Sequence, residues 1–292
     1  MATYIGVDFT SRPTSKKPIV FARLVRENQG LVLQGFQDLT RAEKFAETIG
    51  GFQDAVIGID APFGFATAFL NDMHWGDDWQ AYMARISGLA FDEYVGLLDA
   101  YRKNQPDGKK EHRRLCDKRC GAVSPQKLYG VPVGRMLYAV APLLCDERHD
   151  VWPFRVQGMD RLIVEAYPGV SVRHLVGRTS YKDGTTIAQL TERSKVRGRI
   201  VDMLTQRGEV GEAGSDCAAL RASGLLPVSV EDGLRDVMVD DVHGDHLDAL
   251  VCALQAACVD RASCDSFVLP GEAYVEGWIV NPADLKLTPD HA

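Results

Sequence analysis

Two short fragments of the chain have the same sequence pattern, and in each of them an apolar run ends at a single carboxylate. Ile5-Gly6-Val7-Asp8 and Ile57-Gly58-Ile59-Asp60 share the pattern apolar, glycine, apolar, aspartate, and Leu162-Ile163-Val164-Glu165 repeats it without the glycine. Short apolar runs with β-branched residues, closed by a turn, are typical of strands that are buried on both faces. We therefore predict three core strands, each of which ends at an acidic residue.

The order of the predicted elements favours an α/β fold with a mixed sheet. Strand-like runs over residues 18–25 and 31–36 are joined by a predicted hairpin turn at 27–30, and a helix follows in which Thr40 and Glu43 form a capping box. A strand–helix–strand order produces a parallel pair through a right-handed crossover, whereas the hairpin adds antiparallel strands at one edge. The sequence thus predicts a mixed sheet with helices on its faces.

The length of the chain limits the number of domains. A chain of 292 residues is enough for one large domain or two small ones. Residues 65–155 show little periodicity apart from a helical pattern over 91–101. We predict a single domain over residues 1–292, in which residues 65–155 form an insertion between the fourth and fifth core strands. Further helices are predicted over 189–206 and 245–259.

Composition excludes several classes of protein. The chain is 46% hydrophobic and 25% charged, which is typical of globular domains and unlike disordered ones. No run of 18 apolar residues occurs, so we expect no membrane-spanning helix and no membrane partner. The N-terminus lacks the pattern of a secretion signal, and seven cysteine residues at low density indicate a reducing, cytoplasmic location.

The acidic residues at the strand ends are expected to come together. If the three strands are parallel neighbours, roughly 4.8 Å apart, Asp8, Asp60 and Glu165 lie at one edge of the sheet. Ligands bind at that edge in open α/β sheets. Three acids placed there repel one another and shift their pKa values unless a cation lies between them.

A further element supplies two more carboxylates. Asp245 and Asp248 are three residues apart at the start of the clearest predicted helix, so both side chains share one face and can point toward the strand ends. Oxygen ligands suit Mg²⁺ or Mn²⁺ rather than zinc. Two such ions about 4 Å apart can stabilise the attacking and leaving oxygens of a phosphoryl transfer.

Each acid also has a purely structural explanation. Asp8 and Asp60 could each close a turn after a strand, and Asp245 and Asp248 occupy positions typical of a helix N-cap and of the third residue after it. Glu165 is the least specific of the five. Capping residues need not share one edge of a sheet, whereas metal ligands must, so the set as a whole favours a metal site.

Charge is unevenly distributed along the chain. Residues 101–135 carry ten lysines and arginines against three acids, although the whole chain has a net charge of −7. Residues 231–248 are strongly acidic. A basic segment beside an acidic one is compatible with binding a polyanion near a metal site. Two solvated surfaces would explain the same pattern.

Four motifs resemble, in the same order, those of the domain-of-unknown-function family 429, whose members are regarded as predicted nucleases with a ribonuclease H-like fold. They are Ile57-Gly58-Ile59-Asp60-Ala61-Pro62-Phe63-Gly64, Arg114-Leu115-Cys116-Asp117-Lys118-Arg119, Val164-Glu165-Ala166-Tyr167-Pro168 and Gly244-Asp245-His246-Leu247-Asp248-Ala249-Leu250. The resemblance extends from Gly6 to at least Ala256, which is nearly the whole chain.

The resemblance implies a ribonuclease H-like mixed sheet, in which a three-stranded antiparallel meander is joined to parallel strands and flanked by helices. The Asp-x-x-Asp helix also resembles the last motif of RuvC-type Holliday-junction resolvases. By this resemblance the metal ligands are Asp8, Asp60, Asp245 and Asp248. It leaves open whether Glu165 takes the place of the glutamate that ribonuclease H carries on its first helix, and here Glu43 is better explained as a cap.

The resemblance further implies a family-specific part of the site around Arg114, Asp117 and Arg119, which we assign to substrate binding. The function predicted from these observations is a nuclease that depends on Mg²⁺ or Mn²⁺ and acts on an unidentified nucleic acid. Its expected catalytic residues are Asp8, Asp60, Glu165, Asp245 and Asp248.

Two other functions stay open at this point. ATP-dependent phosphotransferases of the actin-like type share the core fold, and Thr10 and Ser11 supply hydroxyls after the first strand, but the glycine of a phosphate-binding turn is missing. A non-catalytic binding protein could also retain the acidic site.

Overall fold

The computed structural model describes residues 2–28, 30–206, 213–259, 264 and 267–285. Its strands are β1 (Thr3–Asp8), β2 (Ile19–Glu27), β3 (Gly30–Leu39), β4 (Ala55–Ile59), β5 (Asp150–Val151), β6 (Arg161–Glu165) and β7 (Val228–Ser229). Its α-helices are α1 (Phe45–Gly50), α2 (Thr67–Asp72), α3 (Trp79–Gly88), α4 (Phe91–Asn104), α5 (Leu115–Cys120), α6 (Val133–Cys145), α7 (Pro168–Val176), α8 (Ile187–Thr205), α9 (Ala213–Ser223), α10 (Asp232–Asp240), α11 (Asp245–Ala257) and α12 (Ala273–Glu276). None of these helices combines the length and hydrophobicity that crossing a bilayer requires.

The chain divides into two compact units. The first comprises Met1–Asp60, Ala166–Phe267 and Val280–Ala292, and the second comprises Ala61–Glu165 and Val268–Ile279. The insertion predicted over residues 65–155 falls inside the second unit. That unit also includes β6 and a segment near the C-terminus, which the sequence did not associate with it.

The first unit is built on strands in the order β4-β1-β2-β3-β7. The strands β1, β2 and β3 form an antiparallel meander, while β4 runs parallel to β1. The predicted mixed α/β fold, with a meander, parallel strands and flanking helices, is therefore confirmed. The predicted hairpin turn lies between β2 and β3, and its residue Gln29 is outside the described residues.

Two glycines explain why α11 packs so closely on the sheet. Gly6 of β1 and Gly58 of β4 are partners in the parallel register. A Cβ atom on Gly6 would overlap the backbone of Ala249 and Ala253, and one on Gly58 would lie 2.5 Å from the carbonyl oxygen of Cys252. Real Cβ atoms do not approach backbone atoms so closely. The repeated glycines therefore let α11 lie directly against β1 and β4.

The second unit is mostly helical. It contains α2 to α6 and α12, together with β5 and β6, which pair in parallel. Aromatic side chains fill its core: the rings of Phe65 and Phe69 are 4.7 Å apart, and Trp79 stacks on Phe154 at 4.1 Å. This unit thus has a core of its own.

Periodicity predicted only one helix of the insertion. The helix α4 agrees with the pattern over 91–101, but the sequence did not predict α2, α3, α5 or α6. Both α2 and α5 have six residues, fewer than two turns, so no stripe can develop. The helix α6 buries seven of its thirteen residues, and Pro142 interrupts its sequence near the end.

The capping box predicted at Thr40 and Glu43 is wrong. The chain forms a 3₁₀ turn over Ala42–Lys44 that begins after Arg41 and has no side-chain cap, and α1 begins only after Lys44. Thr40 therefore lies one residue too early in the chain to cap the first turn. The helix α1 buries Phe45 and Ile49.

Candidate metal centre

Asp8 and Asp60 lie side by side at the ends of two parallel strands. Asp8 is the last residue of β1, and Asp60 directly follows β4. The register pairs Val7 with Ile59, and the amide of Asp60 donates to the carbonyl oxygen of Val7 at 3.0 Å. The two carboxylates therefore leave the same edge of the sheet, as the sequence predicted.

The helix α11 brings a third carboxylate to this edge. Asp248 lies in its first turn and is only 2% exposed, and Asp8 is 6% exposed. One carboxylate oxygen from each of Asp8, Asp60 and Asp248 lies within 4.8 Å of the others. Residues 52 or more positions apart in the chain thus form one compact cluster, which we call the carboxylate cluster.

Asp245 does not cap α11. The N-cap is Gly244, with a φ of 70°, and Asp245 is the first helical residue, so the capping explanation for Asp245 is wrong. Glycine adopts this left-handed conformation without strain. The helix therefore begins at Asp245, one residue earlier than it would if Asp245 were the N-cap. Asp245 is buried and close enough to raise the pKa of Asp8 through its charge. It lies beside the carboxylate cluster without being one of its three members.

Two side chains that the sequence did not identify contact Asp248. The hydroxyl of Tyr181 donates to Oδ1 of Asp248 at 2.6 Å, and the ammonium of Lys182 donates to Oδ2. Both come from the connection between α7 and α8, which has no periodicity. No motif in the sequence indicates either residue.

Arg197 holds that connection in place. Its guanidinium donates to the carbonyl oxygen of Tyr181 at 2.7 Å and to that of Val239 at 2.9 Å. The side chain is only 1% exposed, although α8 carries several other basic residues that are accessible to solvent. Arg197 therefore fixes the segment from which Tyr181 and Lys182 reach Asp248.

The carboxylate cluster holds more negative than positive charge. Burial raises the pKa of Asp8 most; the ammonium of Lys182 lowers it, and the neighbouring carboxylates, with Asp248 foremost, raise it again. Burial also raises the pKa of Asp245. Conversely, burial lowers the pKa of Lys182, but the charges of Asp248, Tyr181 and Asp8 outweigh it and the net direction is upward. Lys182 is therefore shared by several neighbouring acids, and the charge of Lys17 also lowers the pKa of Asp245.

The donor atoms of the cluster suit a hard divalent cation. All three are carboxylate oxygens, which Mg²⁺ and Mn²⁺ prefer. Cys252, which offers a softer donor, is buried, and its pKa is raised by that burial and by the charges of Asp60, Asp248 and Asp8. This shift disfavours the thiolate that a soft metal would bind.

Glu165 takes part in a different arrangement, within the second unit. Both of its carboxylate oxygens accept hydrogen bonds from Arg114, at 2.5 and 2.7 Å, and the amide of Phe63 donates to one of them at 3.0 Å. Glu165 is 2% exposed. Its oxygens are thus engaged by a guanidinium and a backbone amide, and it is not among the three clustered acids.

Arg114 is the centre of this buried network. It also donates to both carboxylate oxygens of Asp117, at 2.8 and 3.0 Å, and to the carbonyl oxygen of Glu276. Arg114 and Asp117 are each 1% exposed, so the geometry gives them a structural role, and their part in substrate binding stays a prediction. Arg119, by contrast, is exposed, with its guanidinium 5.3 Å from the ring centre of Trp278.

Glu276 completes the network and was not predicted. One of its carboxylate oxygens accepts from the amide of Thr67 at 2.7 Å, and the other accepts from the amide of Leu115 at 2.8 Å. It thereby satisfies backbone donors at the starts of α2 and α5. An acid in a short C-terminal helix carries no sequence signal for such a role.

Comparison with known proteins supports the family resemblance. A family model described as "Protein of unknown function (DUF429)" matches residues 6–273, which is most of the chain. No curated protein and no solved structure matches the chain. The matched range contains all three residues of the carboxylate cluster, together with Lys182 and Arg114.

Proposed function

This chain belongs to the DUF429 family, and we propose that it is a metal-dependent nuclease that hydrolyses phosphodiester bonds at the carboxylate cluster. One observation carries the proposal: oxygens of Asp8, Asp60 and Asp248 lie within 4.8 Å of one another, and two of these residues are buried. Buried carboxylates at such distances repel one another strongly unless a cation joins them.

The cofactor that fits these residues is Mg²⁺ or Mn²⁺. Asp8, Asp60 and Asp248 would hold it, and Asp245 is the further carboxylate that a second ion would need. When bound, such an ion supplies Lewis-acid stabilisation of the phosphoryl oxygens and lowers the pKa of a water molecule. Zinc is a poorer fit because the donor set lacks nitrogen and thiolate sulfur.

Neighbouring side chains and burial position the acids of the carboxylate cluster and set their electrostatic environment. The hydroxyl of Tyr181 orients Asp248 through its hydrogen bond to Oδ1, and in the metal-free protein Lys182 offsets part of the negative charge until an ion replaces it. Burial of Asp8 and Asp248 keeps bulk water away from their carboxylates, which strengthens any interaction with a cation. Residues that are held by several contacts lose little freedom when they bind.

We further propose that the first unit has a ribonuclease H-like fold. The support is its antiparallel β1-β2-β3 meander, the parallel β4, and a late helix that packs on β1 and β4 and carries Asp248. Fold alone does not establish an activity, so the carboxylate cluster carries the functional argument. Six cysteine residues are free thiols, in keeping with a reducing compartment such as the cytoplasm: Cys116, Cys120, Cys145, Cys252, Cys258 and Cys264.

The test is cleavage of labelled single-stranded DNA, duplex DNA, RNA and branched DNA, with Mn²⁺, with Mg²⁺ and with EDTA. We expect cleavage of at least one substrate that requires the metal. Asp60→Asn should reduce it by more than about 100-fold, since even groups that only support metal ligands cost 10–100-fold. The exposed Asp77 provides a matched control, and Asp77→Asn should cleave normally.

Two results would contradict the proposal. Cleavage that persists in EDTA and in Asp60→Asn would not depend on a metal ion or on the carboxylate cluster. No cleavage of any substrate, combined with stabilisation of the protein by ATP, would favour a phosphotransferase instead.

A further inference from the structure

The basic segment of the second unit has few acids to neutralise it. All three acids between residues 101 and 135 are engaged locally: Asp107 by Lys110 at 2.6 Å, Glu111 by Arg102 at 3.6 Å, and Asp117 by the buried Arg114 at 2.8 Å. The cations of this segment that form no salt bridge within the described residues are Lys103, Lys109, Arg113, Lys118, Arg119, Lys127 and Arg135. Five of these seven are exposed, and Lys127 and Arg135 are half-buried.

Hydrogen bonds join three parts of this segment at one place. The hydroxyl of Tyr101, near the end of α4, is bonded to Nε2 of His112 at 2.7 Å. The amide of His112 in turn donates to the side chain of Gln126 at 2.7 Å, and the hydroxyl of Ser124 donates to the carbonyl oxygen of His112 at 2.6 Å. The end of α4, the loop before α5 and the loop after it are therefore fixed against one another.

Three cations of this segment are neighbours of these bonded residues in the chain. Lys103 follows Tyr101 by two positions, Arg113 directly follows His112, and Lys127 directly follows Gln126. Lys109 belongs to the same loop as Arg113. We call Lys103, Lys109, Arg113 and Lys127, together with Arg102 and Tyr129, the basic surface.

Tyr129 supports two of these cations. Its ring centre lies 4.6 Å from the guanidinium of Arg102 and 5.2 Å from the ammonium of Lys127, and the side chain is 49% exposed. Both distances are within the range of cation–π attraction. The ring therefore positions the charges of Arg102 and Lys127 at the protein surface. Because both cations lie against the ring, a nucleic-acid base has little room to stack on it.

We propose that the basic surface binds the phosphodiester backbone of a nucleic acid and does not read its base sequence. Cations from three separate segments suit an extended polyanion that passes over all of them, whereas membrane binding usually relies on one amphipathic helix. The inference deepens the proposed function by locating where the substrate is held. It concerns binding alone and requires neither metal nor cleavage.

The experiment measures binding of fluorescently labelled single-stranded and duplex oligonucleotides in EDTA over a series of salt concentrations. We expect affinity to fall as salt rises and to be equal for oligonucleotides of different sequence. Combined replacement of four cations should weaken binding at least about tenfold and flatten the salt dependence by about 0.7 to 0.9 per lost contact. The variant carries Lys103→Gln, Lys109→Gln, Arg113→Gln and Lys127→Gln.

A control variant removes the same net charge from exposed positions of the first unit. It carries Arg41→Gln, Lys44→Gln, Lys195→Gln and Arg221→Gln, and it should bind within about twofold of the wild type. Because binding is measured in EDTA, the measurement requires neither a bound divalent ion nor cleavage. The result therefore stands whether or not the protein cleaves its substrate.

Three outcomes would overturn the inference. Equal loss of binding in both fourfold variants would mean that only net charge matters. Binding that is absent or insensitive to salt in the wild type would make the basic surface an ordinary solvated one. Tighter binding to vesicles of anionic lipid than to either oligonucleotide, abolished by the first fourfold variant, would assign the surface to a membrane.

Discussion

The ammonium of Lys182 donates to one carboxylate oxygen of Asp248 and leaves the other to the hydroxyl of Tyr181. Both oxygens of a buried acid are thus engaged by side chains from the same short segment. The side chain of Lys182 is one-third exposed, so it can move away from Asp248 into solvent. Lys182 therefore acts as an internal counter-cation, which a divalent ion would have to displace.

Replacing Lys182 with methionine should tighten metal binding. The change frees an oxygen of Asp248 and removes a positive charge beside the cluster, so we expect the dissociation constant for Mn²⁺ to fall by about tenfold, which is about 1.4 kcal/mol. Isothermal titration calorimetry on the metal-free protein measures it. The matched control is Lys195→Met, at an exposed position on α8. Unchanged or weaker Mn²⁺ binding in Lys182→Met would show that the lysine does not compete with the ion.

Replacing Asp8 with asparagine should stabilise the metal-free protein as the pH rises. The folded state raises the pKa of Asp8, so above the ordinary pKa of an aspartate the unfolded chain ionises first and folding loses stability with rising pH. Asparagine removes this penalty. In EDTA, the melting temperature of Asp8→Asn should match the wild type near pH 4 and exceed it by several degrees at pH 8.

Thermal unfolding followed by circular dichroism across that pH range checks this expectation. Each kcal/mol that Asp8→Asn adds to the free energy of unfolding corresponds to an increase of about 2–4 °C in the melting temperature. A variant that is less stable than the wild type at pH 8 would mean that the charge of Lys182 already compensates the buried charge of Asp8.

Adding a methyl group to Gly6 should separate α11 from the sheet. The new Cβ would overlap backbone atoms of Ala249 and Ala253, which cannot move without the helix, so we expect a loss of about 3 kcal/mol or more. Gly50→Ala is the control, because a Cβ there meets nothing within 4 Å, and it should change stability by less than about 1 kcal/mol. Circular dichroism during urea unfolding measures both, and equal stability of the two variants would refute the close packing.

Removing the guanidinium of Arg114 should destabilise the second unit. Arg114→Met would leave Glu165 and Asp117 buried without their partner, which costs about 3–5 kcal/mol. Arg119→Met, at an exposed position, should cost less than about 1 kcal/mol. All four tryptophans belong to the second unit, so tryptophan fluorescence during urea unfolding reports on this unit. Equal midpoints for the two variants would contradict a structural role for Arg114.

The sequence identified Asp8, Asp60 and Asp248 as candidate metal ligands because local patterns define their positions. Asp8 and Asp60 end apolar runs, and Asp248 lies in the first turn of a strongly helical segment. Topology then brings strand ends together at one edge. The reason for the repeated glycines, however, lies in the close approach of α11, and no local pattern contains that information.

Glu165 and Lys182 show where local patterns stop being informative. Glu165 ends a buried strand just as Asp8 does, yet its partner is Arg114, 51 positions away. A strand-end acid looks the same in sequence whether a metal or a guanidinium satisfies it. Lys182 reaches Asp248 across 66 positions from a segment without periodicity, so only the folded chain reveals the contact.

The most direct test of the metal site is titration of Mn²⁺ into metal-free protein by isothermal calorimetry, with the wild type, Asp8→Asn and the exposed control Asp77→Asn compared. If Asp8, Asp60 and Asp248 share a divalent ion, the wild type and Asp77→Asn bind Mn²⁺ equally, and Asp8→Asn binds it at least tenfold more weakly or not at all. Equal binding of Mn²⁺ by Asp8→Asn and the wild type would contradict the account.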